Sequence, residues 1–302
     1  MSLVVVGSVA FDSIKTPHGE VHDALGGSAV HFALASRYFT PTQLVGVVGN
    51  DFPDENRSLL ADRDVDLTGL EVVEEGQTFR WSGEYSADMN SRETLSVDLN
   101  VFESFDPKMP ESYRSSNFVF LANGAPSTQA SVLDQMDSKP FVMADTMDLW
   151  IKISHGDLEA LLRRIDGLVL NDEEAFLLSE TKNLVQAGRL IAGRYDLEIL
   201  VIKKGEHGCL IFRDGEEINL PALPIADVVD PTGAGDSFAG GLMGHLAKTG
   251  KTDLATFKQA VAWGTVQASF CCEGFGVDRM ARLEWSESEE RYRRYQSMLD
   301  LG

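Results

Sequence analysis

Apolar runs divide the chain at regular intervals. Leu3-Val4-Val5-Val6 and residues 44–48 are unbroken apolar stretches, the pattern of strands buried on both faces of a parallel sheet. Phe118–Leu121 and residues 142–144, 168–170 and 199–202 repeat it farther along. Between them, apolar positions fall at helical spacing over about 28–38, from Pro53 onward, up to about Arg164, and over about 236–248 and 254–270. Ser28 reads as the cap of the first helix. Cys209–Arg213 and Glu216–Leu220 flank Asp214-Gly215, a strong hairpin signal. Strand and helix in alternation predict an α/β fold, a doubly wound, mostly parallel central sheet flanked by helices.

One stretch breaks this rhythm. Between about 69 and 105, Leu95, Val97, Leu99 and Val101 alternate with polar residues, which predicts a strand with one wet face. Residues 78–85 are strand-like as well, with Phe79, Trp81 and Tyr85 on alternate positions. Such strands suit a small antiparallel flap better than the interior of a parallel sheet. No repeat, linker or composition shift offers a cut point, so residues 1–302 read as one domain, with a lid from about 12–25 and 70–105 inserted in it.

Composition narrows the function classes. The 302 residues are 43% hydrophobic, enough for a sizeable core, and no run of about 18 apolar residues suggests a membrane span. Residues 3–6 are too short for a signal-peptide core and no basic segment precedes them, so a cytoplasmic protein is expected. The three cysteines lack zinc-ligand spacing and read as reduced thiols. A net charge of −21 repels nucleic-acid phosphates and anionic membranes, so neither is an expected partner.

Chemistry concentrates in Asp230-Pro231-Thr232-Gly233-Ala234-Gly235-Asp236 and the Gly- and Ala-rich run after it. Small residues at 233–235 let the backbone turn so that successive N–H groups face one anion, with the positive end of a buried helix behind them. A carboxylate at Asp236 fits such a site if it takes a proton from a hydroxyl that attacks a phosphoryl group. An acidic first helical turn is the blander reading of the same residue. Elsewhere, Asp12 lies just past the end of the first strand, where ligands of open α/β sheets gather. Gly26 and Gly27 would let a ligand approach the backbone closely. Asn171 ends a strand and Glu174 falls in the next helical turn, so both can face one polyphosphate; a capping pattern is compatible with this. Glu174 oxygens suit Mg²⁺ held through water.

The string at 230–241, with these outlying positions in the same order, resembles the ribokinase-like (PfkB) carbohydrate kinases over nearly the whole chain. The resemblance implies ATP and Mg²⁺, an anion hole at Gly233, Ala234 and Gly235, and a catalytic base at Asp236. It implies that Asp12 grips substrate hydroxyls and that Asn171, Glu174, Lys203 and Gly205 serve the nucleotide. It also implies that His31, which stands where the family usually has Asn, touches the substrate beside Gly26 and Gly27. Some relatives bind a monovalent cation such as K⁺, and Asp230 matches one ligand position. A lid over the acceptor makes Trp81, Met89, Asn90 and Arg92 candidate specificity contacts. Lids of this kind form homodimers in some relatives. A free sugar is the first expected acceptor and a nucleoside follows closely, since Phe79 or Trp81 could stack on a base. A sugar phosphate ranks lower, and a regulator that has lost catalysis is the reading of another class.

Overall fold

The computed structural model describes residues 1–300. Thirteen strands occur in the order β1 (Leu3–Val6), β2 (Ala10–Thr16), β3 (Gly19–Gly26), β4 (Thr42–Gly49), β5 (Val65–Val73), β6 (Phe79–Tyr85), β7 (Arg92–Asp98), β8 (Phe118–Leu121), β9 (Phe141–Asp145), β10 (Gly167–Asn171), β11 (Ile199–Lys203), β12 (Cys209–Arg213) and β13 (Glu216–Leu220). Nine form the central sheet in the order β13-β12-β11-β10-β9-β8-β1-β4-β5. Every pairing from β11 to β5 is parallel, and the β12–β13 hairpin closes the other edge antiparallel. Its turn has positive φ at both Asp214 and Gly215, which matches the twist of the strands it joins.

Alternate residues of β1 feed opposite layers, as the unbroken apolar run requires. Leu3 and Val5 pack with the helices Ser28–Ser36, Ala234–Thr249 and Leu254–Cys271. Val4 and Val6 pack with His155–Leu162, Asp172–Ser179 and Leu184–Tyr195. Two of these helices touch at backbone distance: a Cβ at Gly240 would stand 2.3 Å from the Phe32 carbonyl oxygen. That contact holds the turn before Ala234 against the helix that begins at Ser28.

The small sheet has the order β3-β2-β6-β7. Its two hairpins are antiparallel, but β2 and β6 pair in parallel. Both strands leave the same edge of the central sheet, after β1 and β5, and so run the same way. Residues 70–73 belong to β5 rather than to this sheet. The alternation expected through Val101 stops at Asp98, because Asn100 takes a positive φ and opens a 3₁₀ turn over Asn100–Ser104. Nor is β7 half-buried: it is an edge strand exposed along its whole length, bulged at Leu95, with Leu95 and Val97 56% and 51% exposed.

Two helix boundaries also differ. Gly27, at φ 97°, precedes the first helix, and Ser28 is its first residue rather than its cap. The Ser28 hydroxyl instead bonds the Ser8 amide and hydroxyl, each at 3.1 Å. The helix expected up to Arg164 is two, Asp148–Ile153 and His155–Leu162, meeting at Ser154.

Candidate active site

The turn before Ala234 is held from four sides. Gly233 sits at φ 76°, and a Cβ there would fall 2.3 Å from the His31 ring, so only glycine brings turn and helix this close. The Thr232 amide donates to Asp230 Oδ1 at 2.9 Å, and the Gly276 amide donates to Asp230 Oδ2 at 2.9 Å. The Cys271 thiol donates to the Thr232 carbonyl at 3.3 Å, and the Tyr85 and Thr232 hydroxyls lie 3.1 Å apart. From the end of β11, Lys203 reaches over Gly235: a Cβ there would meet its Nζ at 2.7 Å. The Ala234 amide differs from the expectation of three converging donors, since it closes onto the Pro231 carbonyl at 3.1 Å. The first-turn amides at Gly235 and Asp236 lie at the positive end of the helix, where amides have no intrahelical partner.

Around this turn the fold gathers carboxyls that burial holds against ionisation. Asp12 is buried against Gly26, where a Cβ would come 1.9 Å from its Oδ2. Burial raises its pKa to about 7; the Gly27 amide and Arg92 oppose the shift, while Asp230 and Asp236 add to it. Asp236 is raised chiefly by burial, with Lys203 pulling the other way. Asp145 is raised by burial and then by Asp236 and Glu174, again opposed by Lys203. Glu174 is raised by burial, with Lys203 and the Asn171 amide opposing. Lys203 is thus the shared cation of three buried acids.

Asn171 and Glu174 form a reciprocal capping box. Asn171 Oδ1 accepts from the Glu174 amide at 2.8 Å, and Glu174 Oε2 accepts from the Asn171 amide at 2.7 Å. Glu174 Oε1 makes neither bond. Capping fixes the carboxylate at the end of β10 without consuming it.

Of the residues singled out from sequence, Asp12, Gly26, Gly27, His31, Asn171, Glu174, Lys203 and 233–236 meet at this edge of the central sheet. His31 is fully buried, and burial lowers its pKa to about 4, so the ring is neutral; its Nε2 has no partner. Gly205 stands apart, at φ 53° with open space where a Cβ would be. Trp81 lies along its own strand over Gly83, with the Arg92 guanidinium 5.1 Å from the ring centre. Met89 and Asn90 belong to the turn between β6 and β7.

The fold adds residues that sequence reading missed. Asp145 ends β9 beside β10, and its Oδ1 and the Thr146 hydroxyl are buried without partners. A carboxylate closing an apolar strand was the available signal. Tyr85 and Cys271 carried none beyond an apolar stripe and a cysteine pair. Among the described residues no three His, Cys, Asp or Glu stand close enough to cage a metal. Mg²⁺ needs no such cage, since it is commonly held by one or two carboxylates and substrate phosphates. The unpartnered Asp145 oxygen and the free Glu174 oxygen fit that donor set.

The model of the pfkB family carbohydrate kinases matches residues 1–281. The chain belongs to this family. A cytidine kinase of Thermococcus kodakarensis is 30% identical over 259 residues, 82% of this chain and 89% of that protein. The nucleoside kinase of Methanocaldococcus jannaschii superposes with a TM-score of 0.77 at 21% identity, covering 97% of this chain and 99% of the other. A Burkholderia thailandensis nucleoside kinase in complex with inosine gives 0.80 at 19% identity, over 98% and 99%. The protein is therefore a phosphotransferase with a hydroxyl acceptor, a sugar or nucleoside kinase, and family membership implies ATP as the donor. No described helix is long and apolar enough to cross a membrane.

Proposed function

We propose that the protein is an ATP-dependent nucleoside kinase that phosphorylates a hydroxyl of the nucleoside's sugar. One observation carries the choice of nucleoside over free sugar. Trp81 and Tyr85 occupy the same face of β6, and Tyr85 reaches the turn at Thr232, so that face looks onto the cleft. Val97 stands directly opposite Trp81 in the ladder. An aromatic and apolar ceiling suits the flat face of a base, whereas a free sugar presents hydroxyls that such a ceiling would leave unpaired. The similarity to a cytidine kinase supports the same reading.

In this reading the ribose lies between Asp12, which accepts from its hydroxyls, and the unpartnered Nε2 of neutral His31, with Gly26 and Gly27 giving backbone access. Trp81 and Arg92 contact the base end. Asp236 takes the proton of the attacking hydroxyl. Gly233, Ala234 and Gly235 shape the anion turn, the first-turn amides of the helix face the developing charge, and Lys203 adds a cation there. Asn171 and Gly205 line the nucleotide path. Glu174 and Asp145 would hold Mg²⁺, which supplies charge neutralisation of the triphosphate. K⁺ would share the Asp230 carboxylate with the Thr232 and Gly276 amides. An ATP-consuming reaction belongs in the cytoplasm, and the acidic surface keeps nucleic acid and membranes away. The free edge of β7, with Leu95 and Leu99 exposed, fits pairing with a second copy into a lid-mediated homodimer.

A coupled ATP-consumption assay over nucleosides, free sugars, sugar acids and sugar phosphates, with and without K⁺, tests the acceptor. A nucleoside should exceed ribose or fructose in kcat/KM by about 100-fold, the worth of one well-stacked base. Preference for a free sugar overturns the reading.

A further inference from the structure

We propose that Tyr85 is a positioning residue for phosphoryl transfer, its hydroxyl tying closure of the lid to the geometry of the anion turn through Thr232. Thr232 is the point where the turn is gripped from every side. Its amide is held by Asp230 and its carbonyl by Cys271, both belonging to the main body of the fold. Its hydroxyl alone turns to the lid, where Tyr85 meets it at 3.1 Å. Among the described residues no other hydrogen bond joins β6 or β7 to residues 230–236.

The location of this bond points to positioning rather than to lid folding. Tyr85 is the last residue of β6, next to the exposed turn that leads into β7, so the backbone ladder does not depend on its hydroxyl, which bonds the Arg92 side chain as well as Thr232. Directly opposite it stands Arg92. The positive charge of Arg92 favours the ionised forms of Asp12, Asp236 and Glu174, so the contact that seats Tyr85 also sets a guanidinium above these carboxyls. Gly233 follows Thr232, packed on the His31 ring, and Asp236 lies four residues on. A shift at Thr232 therefore moves the turn that carries the proton acceptor. A displacement of a fraction of an ångström there is enough to cost rate without loosening nucleotide binding.

The inference rests on phosphoryl transfer at this turn and not on which acceptor is used. Tyr85→Phe and Thr232→Val each remove the bond, the double variant removes it once, and Thr232→Ser keeps a hydroxyl. Amide hydrogen exchange is followed at 231–236 in the protein alone, which needs no acceptor. Exchange there should quicken about fivefold in Tyr85→Phe and in Thr232→Val, no further in the double variant, and stay near wild type in Thr232→Ser. With cytidine as acceptor, kcat should fall about tenfold in both single variants while KM for ATP stays within about twofold. Unchanged exchange at 231–236 in Tyr85→Phe overturns the proposal. So do additive losses in the double variant, or a rise in acceptor KM with kcat intact, which would make Tyr85 only a wall of the pocket. A wild type that turns over no nucleoside sinks the nucleoside reading alone; the exchange rates still decide the latch.

Discussion

Residues 230–241 hold a tight turn and the start of the helix Ala234–Thr249, which touches the helix Ser28–Ser36 at backbone distance, and the side chains of Asp230, Cys271 and Tyr85 each bond Thr232 within that turn. Across the cleft, β7 is exposed along its whole length, and the lid is anchored mainly at its base, where Arg80 bridges Asp51 and Asp23. The two sides of one cleft are built on opposite terms. At the transfer side, burial raises the pKa of four carboxyls, an arrangement that costs stability and keeps proton acceptors poised. At the lid, charges are solvated or paired, and its apolar residues await a ligand or a second copy. In the proposed reading the chemistry tolerates little movement, while the choice of acceptor rests on lid positions other than Tyr85, which can change without disturbing it.

The comparison breaks most sharply at Asp236. Asp236→Asn should lower kcat by about 10³-fold, within the range for loss of a general base, with ATP binding retained by calorimetry. Turnover at near wild-type rate would remove Asp236 from the base role. Lys203→Met should follow at about 100-fold, because a cation facing the transferring group is lost. It should also move the pH profile. The wild-type acid limb should fall near pH 6, where Asp236 takes up its proton. Lys203 holds that pKa down, so its removal should shift the limb to higher pH. An unshifted limb would mean that Lys203 does not face the base.

On the lid side the effects should be smaller and of another kind. Trp81→Ala should raise KM for the nucleoside about tenfold through lost stacking, with kcat and KM for ATP near wild type. A matching loss in kcat would mean that Trp81, and not the Tyr85 contact alone, carries the lid's influence on the transition state, and would narrow the division drawn above. Initial rates over both substrates decide between them.

How much of each side was legible follows from the same division. The transfer side was readable because most of it is made of short strings at strand ends, Asn171 to Glu174 at the end of β10 and 230–236 before a helix, whereas Asp12, expected just past β1, stands within β2 of the small sheet. Their spacing alone sets them at one sheet edge once the parallel order is known. Asp145 obeys the same rule and was overlooked because a single carboxylate carries no string. A small sheet apart from the central one was expected and is present, yet the parallel β2–β6 pairing and the bulge at Leu95 escaped, since alternation fixes which face a residue takes and not which strand it meets. His31 on Gly233 and Tyr85 on Thr232 join positions far apart in the chain, and no local pattern announces either.

Stability offers the finest test, because Asp12, on β2 and facing the buried acids, and Asp51, which anchors Thr78 and Arg80, should respond with opposite sign. Burial pushes the Asp12 carboxyl up from its ordinary 3.8 to about 7 in the folded protein, so the fold holds a proton that the unfolded chain releases. Its favourable contribution is complete below pH 3.8 and lost as pH rises to about 7, which leaves a penalty at pH 8. Asp51 is partly desolvated, but hydrogen bonds from the Thr78 hydroxyl and amide and from Arg80 outweigh that, and its pKa is lowered. Its contribution is present above 3.8 and lost as pH falls through the lowered value. At pH 8, Asp12→Asn should therefore raise Tm by about 3–6 °C while abolishing acceptor binding, and Asp51→Asn should lower Tm by about 2–4 °C. At pH 4 the Asp12→Asn gain should largely vanish, because the wild-type carboxyl is then protonated in the fold. Melting curves at the two pH values read both signs directly. A loss of stability in Asp12→Asn at pH 8 would show that its burial is compensated, and that holding this carboxyl out of water carries no net cost.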